Sequence, residues 1–313
     1  MDRDSIQIKL KRRLFISAMM GVTNGVVCAQ YGTDADMVQL GAIIKEKDVI
    51  HLKRDPRFVV PGEEEEYVGL LRTEVQTVRA ALSDVVIAWN TAAGDEDSAC
   101  RYARIAAEAG CDLYELNANG GYGKLIKKHI IRALILPHNR KALVDWLRLL
   151  VLASPIPVVF KFYTGMHAVD YVQLVEDIAP TGIFAVHLNV RHPTEFRPNF
   201  ELVSDLRPYF DGVIFCSGRV SKREDVDLLF AAGADCVGVG RALIQDPEMI
   251  TKLSRLRKPR RPSEVAPPIP LAQIEMAEPD DGEPDEGQPE EGESRESKPD
   301  ESGPADRPRE LDG

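Results

Sequence analysis

No apolar run in this 313-residue chain reaches the ~18 residues that a membrane-spanning helix needs, so no membrane partner is expected. Cysteine is scarce and unpatterned. Cys28, Cys100, Cys111, Cys216 and Cys236 are odd in number and show no CxxC spacing, so neither a disulfide framework nor a metal site is expected. Cys28, Cys216 and Cys236 sit in apolar company and read as core packing in a reducing compartment. The start, Met1-Asp2-Arg3-Asp4, lacks the apolar stretch of a secretory signal, and a cytoplasmic location is expected. Positive charge is not in excess either. Residues 271–313 hold 16 Asp+Glu against 4 Lys+Arg, a net of −12 within a whole-chain charge of −11, which leaves residues 1–270 near +1. A near-neutral body offers no evident electrostatic footprint for nucleic acid.

What is present is rhythm. Eight short apolar runs recur at helix-sized intervals: Leu14–Met20, Met37–Ile43, Val85–Asn90, Leu113–Asn117, Val158–Phe162, Ile183–Leu188, Gly212–Cys216 and Cys236–Val239. Most are continuous rather than alternating, as in Pro157-Val158-Val159-Phe160, which suits strands buried on both faces of a parallel sheet. Helical stretches separate them. Asp97–Glu108 has an acidic first turn and stops at Gly110, Lys141–Leu152 repeats Leu at helical spacing, and Ser221–Ala232 starts at a Ser221 N-cap and ends at Gly233. The Glu63–Glu66 run opens another helix over Tyr67–Ala81 and complements its dipole. A leading strand, Ile6–Leu10, is expected to cap the barrel bottom. The fold class is α/β, a (β/α)₈ TIM barrel over residues 1–256. Beyond it, Arg257-Lys258-Pro259-Arg260-Arg261-Pro262 is a basic hinge. The Pro-rich and acidic text to Gly313 cannot bury a core, so residues 257–313 are expected to be a disordered tail.

In such a barrel, functional groups stand at the C-terminal ends of strands. Those ends read Ala18-Met19-Met20-Gly21, Trp89-Asn90, Glu115-Leu116-Asn117-Ala118-Asn119-Gly120-Gly121, Lys161-Phe162-Tyr163, His187-Leu188-Asn189, Ser217-Gly218-Arg219 and Gly240-Arg241. A lysine inside an apolar strand is costly unless something anionic meets it. A flavin supplies such a partner, because its N1–C2=O edge becomes negative on reduction. Lys161 fits that edge, with His187 nearby and Asn90 on the other pyrimidine edge. Backbone N–H groups around Ser217, Gly218, Gly240 and Arg241 suit a phosphate dianion. The expected cofactor is therefore FMN, with NAD(P)H as a possible electron donor.

These motifs resemble the FMN-binding barrels of the tRNA-dihydrouridine synthases and their dihydroorotate dehydrogenase relatives, over residues 6–250. Ala18-Met19-Met20-Gly21-Val22-Thr23-Asn24 is similar to the family's opening flavin motif, with Met19 where proline is usual. Leu116-Asn117-Ala118-Asn119-Gly120-Gly121 stands where the family has Asn-x-Gly-Cys-Pro, followed by Lys124. Phe160–Gly165 is similar to Lys-x-Arg-x-Gly, and Val186–Asn189 to Val-His-Gly-Arg. Ser217–Val220 is similar to Asn-Gly-Asp-Ile, and Gly238–Arg241 to the last phosphate motif. The resemblance implies flavin-binding roles for Ala18, Met20, Lys161, His187, Gly218, Gly240 and Arg241. It implies an oxidoreductase that moves hydride between flavin N5 and a C=C of a pyrimidine-like or other planar substrate.

The family's proton-donating cysteine falls on Gly120, and its two arginines after the lysine and histidine fall on Tyr163 and Asn189. Tyr122, Tyr163, His167 and His192 lie beyond strand ends, and His192 and Tyr163 are the replacement acids singled out. Asn117, Asn119, Lys124 and Asn189 are expected to contact substrate. The acidic tail would repel RNA phosphates, so a small molecule or nucleobase is expected as substrate in preference to tRNA. Two other readings stay open: a non-catalytic barrel that keeps a phosphate or flavin site, and a Schiff-base aldolase using Lys161.

Overall fold

The computed structural model describes residues 2–44, 64–118 and 133–254. Eight parallel strands close into a barrel in chain order: β1 Arg13–Ile16, β2 Met37–Ile44, β3 Val86–Ala92, β4 Leu113–Asn117, β5 Val158–Tyr163, β6 Ala185–Asn189, β7 Val213–Ser217 and β8 Cys236–Val239. β8 returns to β1, with Arg13 opposite Cys236 and Ile16 opposite Val239. All eight expected runs are strands. The first ends at Ile16 rather than Met20, because the next residues fold into a turn. There the Val22 N–H donates to Met19 O at 3.0 Å and the Met19 N–H to Thr23 Oγ1 at 2.9 Å.

The helices are α1 Arg3–Leu10, α2 Gly25–Tyr31, α3 Glu64–Ala81, α4 Glu96–Ala109, α5 Arg140–Ala153, α6 Tyr171–Ile178, α7 Phe200–Leu206 and α8 Arg223–Ala231. Two short ones, α9 Arg241–Gln245 and α10 Met249–Leu253, follow β8. The leading segment is thus a helix and not the expected strand. Ile6-Gln7-Ile8-Lys9-Leu10 alternates like a strand, but Ile6 and Leu10 stand one helical turn apart and are fully buried, while Ile8 is 78% exposed. Asp2 caps this helix by accepting the Ser5 N–H at 2.9 Å. Its place is the expected one, since Ile6 and Leu10 pack into the apolar cluster that fills the lower barrel.

The N-cap of α8 is also corrected, from Ser221 to Lys222. The Asp225 carboxylate explains the shift by accepting the Ser221 and Lys222 N–H groups at 3.0 and 3.1 Å. The 256/257 domain boundary and the acidic tail lie outside the described residues. All five cysteines are buried and free, and burial pushes the thiols of Cys28, Cys216 and Cys236 up. Among the described residues, no helix is long and apolar enough to cross a membrane.

Strands buried on both faces need two apolar sets. The outward set, including Trp89, Phe160 and Phe162, packs under the helices. The inward set, including Phe15, Met37, Val86, Val159 and Phe215, fills the lower barrel. Gly238 makes room for the largest inward ring. A Cβ built there would stand 2.3 Å from Phe15 Cζ, and the ring is hemmed by Phe215 and His187 at 5.7 and 5.3 Å between centroids. Gly238→Ala should therefore destabilise by about 1–3 kcal/mol through overpacking. The check is the urea midpoint, which should fall at unchanged slope.

Candidate functional site

Above the apolar floor of Phe15 and Phe215, the inward residues become polar at one level. β2 supplies Gln39, β3 Asn90, β4 Glu115 and Asn117, β5 Lys161, β6 His187 and β7 Ser217. Strand register brings them together: Asn90 pairs with Glu115, Asn117 with Lys161, and Lys161 with His187. All seven are buried. A polar layer inside a barrel must satisfy itself or wait for a ligand.

Glu115, fully buried, is its hub. Oε2 accepts from Gln39 Nε2 at 2.6 Å and lies 2.7 Å from His187 Nδ1. Oε1 accepts from Asn90 Nδ2 and lies 3.7 Å from Lys161 Nζ. Beyond these, His187 Nε2 is 2.7 Å from Ser217 Oγ, and Asn117 Nδ2 donates to Asn90 Oδ1 at 3.1 Å. The Gln39 side chain is itself oriented, because the Ala18 N–H donates to its Oε1 at 3.0 Å.

Burial alone would raise the Glu115 carboxyl. The charges of His187 and Lys161, with hydrogen bonds from His187 and Asn90, outweigh it and hold the group at about 2. Burial lowers His187 and Lys161, and Glu115 opposes both falls. A carboxyl held below its ordinary 4.5 contributes stability that is complete above pH 4.5. That contribution is lost as pH falls from 4.5 towards 2. The lowered His187 acts in the same direction, its contribution being complete above 6.5 and lost below it. Acid unfolding of the wild type should therefore begin below about pH 6.5 and steepen below about pH 4.5. Glu115→Gln should flatten the second part when both are followed by circular dichroism.

Glu115 and Gln39 were not among the expected site residues. A signal for Glu115 was present, since it interrupts the apolar strand Leu113–Asn117 as Lys161 interrupts Val158–Phe162. It also supplies the negative charge that Lys161 requires, a place the sequence reading had given to the flavin. The ion pair at 3.7 Å is longer than a hydrogen bond, so the ammonium keeps donors that no described residue takes up.

The rim is built from the turns that follow the strands. Gly218 has φ +103°, a left-handed conformation suited to glycine, and a Cβ there would stand 2.3 Å from Asn189 Oδ1. Asn189 thus packs onto the Gly218 turn. Gly240 precedes α9, where no side chain caps the helix, and a Cβ built on Gly240 would stand in ordinary contact with Met19, 3.5 Å from its Cγ. Arg241 is exposed, and Ala18 and Met20 are half-buried at the same end.

The two expected acids differ in placement. Tyr163 ends β5 on the same face as Lys161, with its hydroxyl folded against Gly165. His192 serves its own loop: Nδ1 accepts the Thr194 and Glu195 N–H groups at 3.3 and 3.1 Å, and Nε2 faces Glu195 Oε1 at 3.7 Å. Arg219 ties the same loop by donating to His192 O at 2.9 Å and to Glu195 O. His167 is exposed. Asn119, Gly120, Tyr122 and Lys124 lie outside the described residues. Among the described residues, no group of three or more His, Cys, Asp and Glu side chains is placed to hold a metal ion.

Among solved structures the chain is similar to a FabK mutant from Thermotoga maritima, at 12% identity and a TM-score of 0.49, spanning 78% of this chain and 66% of that one. No curated protein matches it. Residues 72–277, about two thirds of the chain, match the sequence model of dihydrouridine synthase, a stretch that runs from α3 past β8 and contains every polar residue of the layer except Gln39. By that match the chain belongs to the dihydrouridine synthase family.

Proposed function

We propose that this protein is an FMN-dependent oxidoreductase of dihydrouridine synthase type, acting on a C=C bond of a pyrimidine-like or other planar substrate. The observation that carries this reading is Lys161. A buried ammonium, paired at 3.7 Å with Glu115 and given no hydrogen bond within 3.5 Å by the described residues, fits a ligand edge that accepts hydrogen bonds and gains negative charge. The residues present fit the cofactor in a second respect, since the Gly218 turn lies two strands from the lysine and the Gly240 turn three, and no side chain caps the helix that follows Gly240. When bound, FMN supplies hydride exchange at N5.

In this reading Lys161 stabilises the charge that reduction places on the ring, and Asn90 and His187 hold its level in the barrel. The apolar floor of Phe15 and Phe215 excludes water from below. Gly218, Gly240 and Arg241 take the phosphate, Ala18 and Met20 border the ring, and Asn117 and Asn189 orient the substrate. NAD(P)H is the electron donor to test first. The substrate is a free small molecule or a nucleobase, and tRNA, the substrate the family's name suggests, is the comparison.

Tyr163 is the better placed proton donor of the two, because His192 spends Nδ1 on two amides of its own loop. Tyr163→Phe should lower turnover by about 10²–10⁴-fold, the range for loss of a general acid, whereas His192→Gln should change it only a few-fold. Single-turnover reoxidation of the reduced enzyme measures both. The experiment for the whole reading is mass spectrometry of the small molecule released on denaturing the purified protein. FMN is expected. Absence of flavin, with borohydride trapping of a carbonyl compound on Lys161, would overturn the reading in favour of Schiff-base chemistry.

A further inference from the structure

The hydrogen bonds around Glu115 all run one way. A carboxylate only accepts, and Gln39 meets it with its NH₂ end because the Ala18 N–H already occupies Oε1. Asn90 likewise donates to Glu115 and accepts from Asn117. His187 lies 2.7 Å from the carboxylate through Nδ1 and 2.7 Å from Ser217 Oγ through Nε2. A neutral imidazole carries one proton. The carboxylate at 2.7 Å outcompetes the Gln39 Nε2 donor, which stands 3.5 Å from Nδ1, so that proton is on Nδ1, and Nε2 is left to accept the Ser217 hydroxyl hydrogen. Ser217 makes no other side-chain hydrogen bond among the described residues, so its only proton points inward.

We propose that Glu115 is a positioning residue that locks His187 with its proton on Nδ1 and thereby makes Ser217 a hydrogen-bond acceptor towards the barrel mouth, where it selects a hydroxyl or N–H of the ligand and not a phosphate oxygen. A phosphate dianion offers only acceptors, and two facing lone pairs repel. The phosphate then falls to the backbone N–H groups of the Gly218 and Gly240 turns, and Ser217 meets the sugar-alcohol chain or the ring. The proposal rests on the flavin reading for the identity of the ligand, but not for the state of His187.

The test uses the full-length protein, freed of bound small molecules and labelled with ¹⁵N-histidine, with the His187 signals identified by their loss in His187→Gln. Long-range ¹⁵N–¹H spectra at neutral pH should show Nδ1 protonated and Nε2 bare. Glu115→Gln should release a population protonated on Nε2, and Glu115→Asp, which keeps the acceptor, should restore the Nδ1–H form. An Nε2-protonated His187 in the wild type overturns the proposal whatever the protein binds.

The second measurement needs no change at Glu115. Ser217→Ala should weaken binding of FMN and riboflavin, followed by flavin fluorescence, by the same factor of about 3–10. A loss confined to FMN would place Ser217 on the phosphate and overturn the proposal. If wild-type protein binds neither flavin, the flavin reading falls, and the His187 spectrum still decides the role of Glu115.

Discussion

Glu115→Ala should cost about 3–5 kcal/mol of unfolding free energy, the range for removing one partner of a buried ionic group. Three donors lose their acceptor at once: Gln39 Nε2, Asn90 Nδ2 and His187 Nδ1. Lys161 loses the carboxylate it is paired with among the described residues. Deprotonation of Lys161 limits the damage but cannot return acceptors to the other three. Glu115→Gln should cost less, since it keeps the shape and one carbonyl oxygen. Urea unfolding at neutral pH measures both, and a loss below about 1 kcal/mol for the alanine variant would show that the layer does not depend on its carboxylate.

Lys161→Met should have the largest effect on function. Methionine keeps the apolar stem and most of the volume, and Glu115 keeps three hydrogen bonds but loses its lysine partner, so the variant should melt at a lower temperature while remaining folded. What disappears is the fixed charge at the ring edge. Loss of one such electrostatic contact is expected to lower turnover by about 10²–10³-fold and to reduce the flavin retained on purification. Flavin content per chain and reoxidation rate are the readouts, with thermal melting as the control for folding. Full occupancy at an unchanged rate would remove Lys161 from its assigned role.

Much of the barrel is legible in the sequence. Strands buried on both faces are continuous apolar runs, and eight of them separated by helices leave few arrangements. The leading segment shows where pattern alone misleads. Ile6, Ile8 and Leu10 satisfy a period of two as well as Ile6 and Leu10 satisfy a helical turn, and five residues cannot distinguish the two. The cap at Ser221 failed for a similarly local reason. Asp225, one turn later, reaches back to the Ser221 and Lys222 amides and opens the helix one residue on, at Arg223.

At the site, Lys161 and His187 were conspicuous because each places a polar group in an apolar strand. Glu115 carries the same signal but stands next to Asn117, Asn119 and Gly120, a polar segment in which one more polar residue draws no attention. Gln39 reads as an ordinary break in Met37–Ile44. Both were legible as residues and not as partners.

The sequence by itself determined the number, order and burial of the strands, and it marked the strand ends where chemistry would gather, because those properties follow from local hydrophobic pattern and turn composition. Only the tertiary structure decided who meets whom. Gln39, Glu115, Lys161 and His187 come from four strands far apart in the chain. Whether their side chains converge depends on barrel closure and on register, where a slip of one residue would send each to the opposite face.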